Sequence, residues 1–149
     1  MKRVVLFLVM AIAVALAPLC AMADEPEPQP VYAGVAVTDE EMVLLQQIIW
    51  AEANNQRFEG QKAVCEVIFN RLQSPAWPDT IEGVLSQRGQ FATWKGRHRA
   101  HPTETQADVI REVLAETETV IPQDYVFFAT GRYRWMNDCF KLQDHWFGR

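Results

Sequence analysis

Two apolar runs of helical period, 42–53 and 58–72, meet across three consecutive amides, and this junction constrains the chain more than any other feature. Thr38 followed by Glu41 forms a capping box, and Asp39, Glu40 and Glu41 put negative charge on a first turn. Met42, Leu45, Ile48, Ile49 and, one turn on, Glu52 fall in helical register. The helix should end near Ala53, because Asn54 and Asn55 favour turns over helix interiors. A second helix is expected from Phe58 or Glu59 to Leu72, with Val64, Val67, Ile68 and Leu72 as its buried stripe and "SPAWPD" as its stop. A short helical turn fits 80–86. A third full helix starts at Thr103, where Gln106 completes another capping box, and Ala107, Ile110, Val113 and Leu114 form its core face. "YVFFAT" (125–130) reads as a short extended segment, and the tail "CFKLQDHWFGR" as aromatic and irregular. No internal repeat is visible. The expected fold is a small, mainly α domain with room for one short β-hairpin.

The ends of the chain carry different information. Lys2 and Arg3, the apolar stretch Val4–Leu19 and the A-x-A site at 21–23 have the layout of a signal peptide covering residues 1–23. Leu19 before Cys20 is bulky for a lipidation site, so no stable membrane anchor is expected after cleavage, and the protein should be exported to the periplasm or cell envelope. Residues 24–37 are Pro-rich and read as a flexible linker outside the core, leaving 38–149 as one catalytic-sized domain. Removing 23 of the 149 residues leaves 12 basic against 19 acidic side chains, a net charge near −7. That balance argues against nucleic acid as a partner. The local exception is "WKGRHRAH" (94–101), either a solvated loop or a site for anionic groups on a substrate. Cys65 and Cys139 remain in the mature chain, and their spacing does not decide whether they pair.

Glu52 is the residue with chemical promise. It shares the apolar face of its helix, and a carboxylate pressed against apolar neighbours has its charged form disfavoured. A carboxyl kept protonated near neutral pH is what a general acid needs. The chain is also rich in aromatics, and exposed rings beside amides and charges suit the flat apolar faces of sugars. Trp94, Tyr125 and Trp146 lie nearest polar or loop sequence and are the expected groove rings.

The segment "AEANNQRFEGQKAVCEVIFNRLQSPAWPDTIEGVLSQRGQF" (51–91) resembles the bacterial cell-wall hydrolases of the spore-cortex-lytic (SleB/CwlJ) type. A-E-A, an aromatic-E-G-Q, A-V-x-x-V-I-x-N-R, S-P-x-W-P, I-x-G-V and Q-F stand in order. "LQDHWFGR" is similar to the family's closing G-x-H-x-F element, with Asp144 where a small residue is usual, so the resemblance spans 42–147. It implies a lysozyme-like, lytic-transglycosylase-like helical fold acting on peptidoglycan glycan strands, with Glu52 as the catalytic acid and Gln90 and Phe91 in a cleft-lining loop. The family often has a second acid just after its A-E-A turn, where this chain carries Gln56. Two-carboxylate glycoside hydrolysis needs that partner; a lytic transglycosylase with one acid/base does not.

Other readings of the same residues are a muramidase-type hydrolase using Glu52 and a non-catalytic peptidoglycan-binding module. Glu59 is a candidate second acid, but it also suits the first turn of the second helix. Glu66 is expected to be solvent-exposed, and Gln61, Asn70 and Arg71 structural. His98, His101 and His145 lack the spacing of a zinc site, so neither metal nor other cofactor is expected. Cys65 and Cys139 have no convincing base for nucleophilic work. A monomer is expected.

Overall fold

The computed structural model describes residues 26–149; the segment read as a signal peptide lies outside them. Four α-helices come first: α1 (Asp39–Ala53), α2 (Phe58–Gln73), α3 (Ile81–Ser86) and α4 (Glu104–Ala115), with a 3₁₀ helix (Trp94–Arg99) between α3 and α4. Three short strands follow: β1 (Phe127–Ala129), β2 (Phe140–Leu142) and β3 (His145–Gly148). None of the described helices is long and apolar enough to cross a membrane.

Local chemistry places the helix starts. The Thr38 hydroxyl accepts the N–H of Glu41 at 3.2 Å, while the Glu41 carboxylate takes the N–H of Thr38 at 3.0 Å. Thr103 and Gln106 repeat the device at α4, and Thr80 caps α3 through the N–H of Gly83. Caps of this kind are each worth about 1 kcal/mol.

α2 is the central element. Leu45, Ile48 and Ile49 of α1, Ile68 and Phe69 of α2, and Val109, Ile110 and Val113 of α4 form the larger core. Ala63, Val64 and Val67 turn the other way, onto Ile121, Tyr125 and Phe147. With both sides covered, α2 is buried from Gly60 to Arg71, which corrects the expectation of a single stripe. Glu66 is corrected with it. Its carboxylate is fully buried and takes the N–H groups of Val120 and Ile121, both at 2.9 Å.

Asn70 and Arg71 do structural work on turn carbonyls. Asn70 Nδ2 donates to the carbonyls of Pro122 and Tyr125, and Arg71 Nε to that of Val126. Part of the presumed linker belongs to the core. Tyr32 is fully buried against Phe69, and its hydroxyl donates to Asn70 Oδ1 at 2.8 Å, while Val31 N–H bonds the carbonyl of Glu116. A Tyr ring is large enough to fill a core site when its hydroxyl finds a partner; proline content hid that.

The tail is a regular antiparallel sheet of order β1-β3-β2. Phe128 pairs with Phe147, and Leu142 with His145. β2 and β3 are joined by Gln143 and Asp144, Gln143 adopting φ 54°. Cys65 and Cys139 are both free thiols.

Candidate active site

Glu52 sits one residue before the end of α1, half-buried. The hydroxyl of Thr93, just ahead of the 3₁₀ helix, donates to its Oε1 at 2.5 Å. Among the described residues no salt bridge engages it. The carboxyl is thus oriented at one oxygen by a neutral donor and is not neutralised by a cation.

His145 opens β3 beside it. Burial lowers the His145 pKa below the usual histidine value, while the nearby charges of Glu52 and Asp144 pull the other way. Its Nδ1 is buried with no hydrogen-bond partner, and its ring meets Phe128 edge-on at 5.4 Å. The net lowering favours a neutral imidazole near Glu52.

The amide triplet after α1 is a clasp. Gln56 is buried; its Nε2 donates to Asp144 Oδ2 at 3.0 Å and to Asn55 Oδ1 at 2.9 Å, and its Oε1 accepts the N–H of Asp144 at 3.1 Å. Gln143 Oε1 accepts the N–H of Arg57 at 2.6 Å. A Cβ on Gly60 would meet Gln143 Oε1 and Gln56 Cβ at 2.9 Å each, so only glycine lets the β2–β3 turn come this close. Gln61 braces the same junction, donating to the carbonyl of Gln56 and accepting from Gln106. The turn that delivers His145 is therefore fastened to the helix end that delivers Glu52.

Two open grooves flank this point. One, of about 370 Å³, is lined by Trp50, Thr93, Lys95 and Arg99 among others. The second, of about 380 Å³, runs between Arg71, Gln90, Phe128, Tyr133 and Trp135. Tyr133 and Trp135 are 50 % and 54 % exposed and stack on each other at 5.5 Å, a ready platform for an apolar sugar face.

Of the residues expected from sequence, Gln90 lines the second groove, and Glu52 is tied to the first through Thr93. Phe91 and Tyr125 do not present free faces: they are 4 % and 5 % exposed, Phe91 in the larger core beneath Phe128 and Tyr125 in the smaller one against Phe140. Trp94 is partly buried, and the Arg97 guanidinium covers its ring at 3.8 Å. Trp146 lies on the opposite sheet face from His145 and Phe147, under Arg132, because strand side chains alternate. Glu59 is exposed on the first turn of α2. Sequence reasoning did not assign Trp50, Thr93, Tyr133 or Trp135 to the site, and gave His145 no role in it. For Thr93 the signal is contact across the fold, which no local pattern carries; His145 stands in the closing G-x-H-x-F element, but its place beside Glu52 shows only in the fold. "GRYRW" (131–135), aromatic and basic in a loop, was a legible cue.

A family model described as Cell Wall Hydrolase matches residues 55–148. The spore cortex-lytic enzymes of Bacillus subtilis and Halalkalibacterium halodurans are each 35 % identical to the chain, over 72 and 78 residues. Those stretches cover 48 % and 52 % of this chain and 24 % of each relative, so the chain spans about a quarter of the relatives it matches. Among solved structures, the catalytic domain of the germination-specific lytic transglycosylase SleB from Bacillus anthracis superposes with a TM-score of 0.67 at 19 % identity, covering 76 % of this chain and 98 % of that one. The catalytic domain of the Bacillus cereus SleB protein gives 0.65 at 20 % identity, covering 85 % and 99 %. The fold is therefore that of these lysozyme-like catalytic domains: mostly helical, with a small three-stranded sheet.

Proposed function

The chain belongs to the cell wall hydrolase family, and on that premise we propose that it cuts peptidoglycan glycan strands between N-acetylmuramic acid and N-acetylglucosamine as a lytic transglycosylase. The observation that carries this reading is the pairing of one hydroxyl-anchored carboxyl, Glu52, with a neutral Gln56 just after its turn, the anchoring Thr93 lining an open groove. Glu52 gives its proton to the oxygen linking the two sugars, and that bond breaks with N-acetylglucosamine as the leaving alcohol. As a carboxylate, Glu52 then takes the proton of the muramic 6-hydroxyl, whose oxygen closes on C1. The product is a 1,6-anhydro ring, the acid is restored and no water is consumed. Well-placed acid–base catalysis of this kind contributes about 10²–10⁴-fold. Thr93 fixes the carboxyl, and the exposed pair Tyr133 and Trp135 offers a stacking surface along the strand. A substrate in the cell wall supports an envelope or extracellular location.

One observation favours a rival. Asp144, like Glu52, acts electrostatically on His145, so a second carboxylate stands in the neighbourhood for a muramidase-type hydrolysis. Lysis of purified walls separates the readings. On the one-acid mechanism Glu52→Gln removes activity and Asp144→Asn largely keeps it. Equal loss in both variants moves the assignment to two-carboxylate hydrolysis. Unchanged lysis by Glu52→Gln removes Glu52 from the chemistry, and wall binding without lysis by the parent leaves a binding module.

A further inference from the structure

We infer that the groove on the Trp50–Arg99 side of Glu52 is a subsite for a carboxylate of the glycan strand, held by Lys95 and Arg99; this rests on the cell-wall reading above. The charge distribution is the first support. The whole chain carries a net charge of −5, yet 83–103 contains no Asp or Glu and holds Arg88, Lys95, Arg97, Arg99, His98 and His101. In an acidic protein such a run concentrates positive potential at one place.

Position is the second support. The groove is lined by Thr93, the residue that holds Glu52, and by Trp50, two residues before it. An occupant would therefore lie within one residue of the Glu52 carboxyl. Lys95 and Arg99 are exposed and make no salt bridge among the described residues, so neither charge is already spent. Arg97 differs: it is folded onto the Trp94 ring and donates to the Trp94 carbonyl at 2.9 Å.

Both free cations line this one groove. Arg99 bends back over Gly96, where a Cβ would meet its Nη2 at 3.3 Å. Its guanidinium thus returns toward the turn that carries Lys95. Trp50 supplies an apolar wall beneath, itself set edge-on to His101 at 6.0 Å. An aromatic floor with two cations at its rim fits a sugar bearing an acid. Glycan hydroxyl and acetamide groups are neutral, so the anions available on such a strand are the muramic lactyl carboxylate, where no peptide caps it, and the carboxylates of the peptide stem.

The test compares the parent with Lys95→Gln/Arg99→Gln on three substrates: intact walls freed of phosphate polymers, the same walls with carboxyls capped as neutral amides, and strands stripped of peptide. Capping should raise the parent's KM about fivefold with kcat little changed, the scale of two exposed ion pairs. The double variant should show the raised KM on intact walls and no further response to capping. On stripped strands, a retained low KM assigns the lactyl carboxylate and a raised one the peptide stem, both within the proposal. A parent indifferent to capping overturns it, and so does a variant that loses equally on capped and intact walls. Sedimentation of Glu52→Gln protein with the same walls reads the subsite without cutting, so a failure of the cleavage reading and a failure of the subsite show separately.

Discussion

The Gln56–Asp144 clasp allows a perturbation whose size follows from its geometry. Replacing Gln56 with glutamate puts a carboxylate oxygen where Nε2 now stands, 3.0 Å from Asp144 Oδ2. Two unit charges about 4 Å apart repel by about 1 kcal/mol in water and about 4 kcal/mol at an effective dielectric of 20. Asp144 is exposed, so the lower part of that range applies. The donor bonds to Asp144 and Asn55 also disappear, at about 1 kcal/mol. The bond from the Asp144 N–H survives, because a carboxylate accepts it as the amide oxygen does. Gln56→Glu should therefore cost about 2–3 kcal/mol near neutral pH. Asp144→Ser removes the opposing charge, so the double variant should recover most of the loss, with a coupling of about 2 kcal/mol. Urea unfolding midpoints of the parent, both singles and the double give that number directly. Additivity within about 0.5 kcal/mol would refute the reasoning, since it would mean the two side chains do not sense each other.

Three further outcomes are expected. Burial pushes the Glu66 carboxyl up to about 7, against the lowering pull of the Val120 and Ile121 N–H groups. Its folded value then exceeds the unfolded 4.5, so its contribution is fully present below about pH 4.5 and is lost as pH rises toward 7, on the order of 3 kcal/mol. Unfolding curves across that window should show the fall in the parent and its absence in Glu66→Gln; parallel pH slopes would contradict it. Deleting residues before Thr38 removes the buried Tyr32 ring and its bond to Asn70, and should cost about 4 kcal/mol by calorimetry, whereas a true linker would cost nothing. Thr93→Val deletes the only hydroxyl holding Glu52 among the described residues and should lower wall-lysis kcat/KM about tenfold at unchanged stability; an unaltered rate would show that the bond does no orienting.

What the sequence disclosed depended on the range of each cause. Capping boxes at Thr38 and Thr103 act within four residues, and both appear where the pattern places them. The end of α1 at Ala53 and the span of α2 follow from local turn chemistry in the same way. The burial of Glu66 and Tyr32 is not legible locally because their partners lie 38 to 55 residues away: the N–H groups at 120 and 121, and Asn70. A buried carboxylate with two backbone donors looks the same in sequence as one in water. The surroundings of the aromatic residues were hidden for a related reason. Phe91 and Tyr125 fill cores, and Trp146 is turned outward by the register of a strand whose tail had read as irregular. Motif order singles out Glu52 and His145 separately; only tertiary contact brings them together and adds Thr93.

The most direct trial of the central claim is the mass of the soluble muropeptides released from purified walls. If Glu52 alone breaks the glycosidic bond and closes the ring, the terminal muramic residues will be 1,6-anhydro forms, one water lighter than reducing ends, and Glu52→Gln will release none. Reducing ends alone, from parent protein that needs Glu52, would show that water enters the reaction and that a second group must activate it.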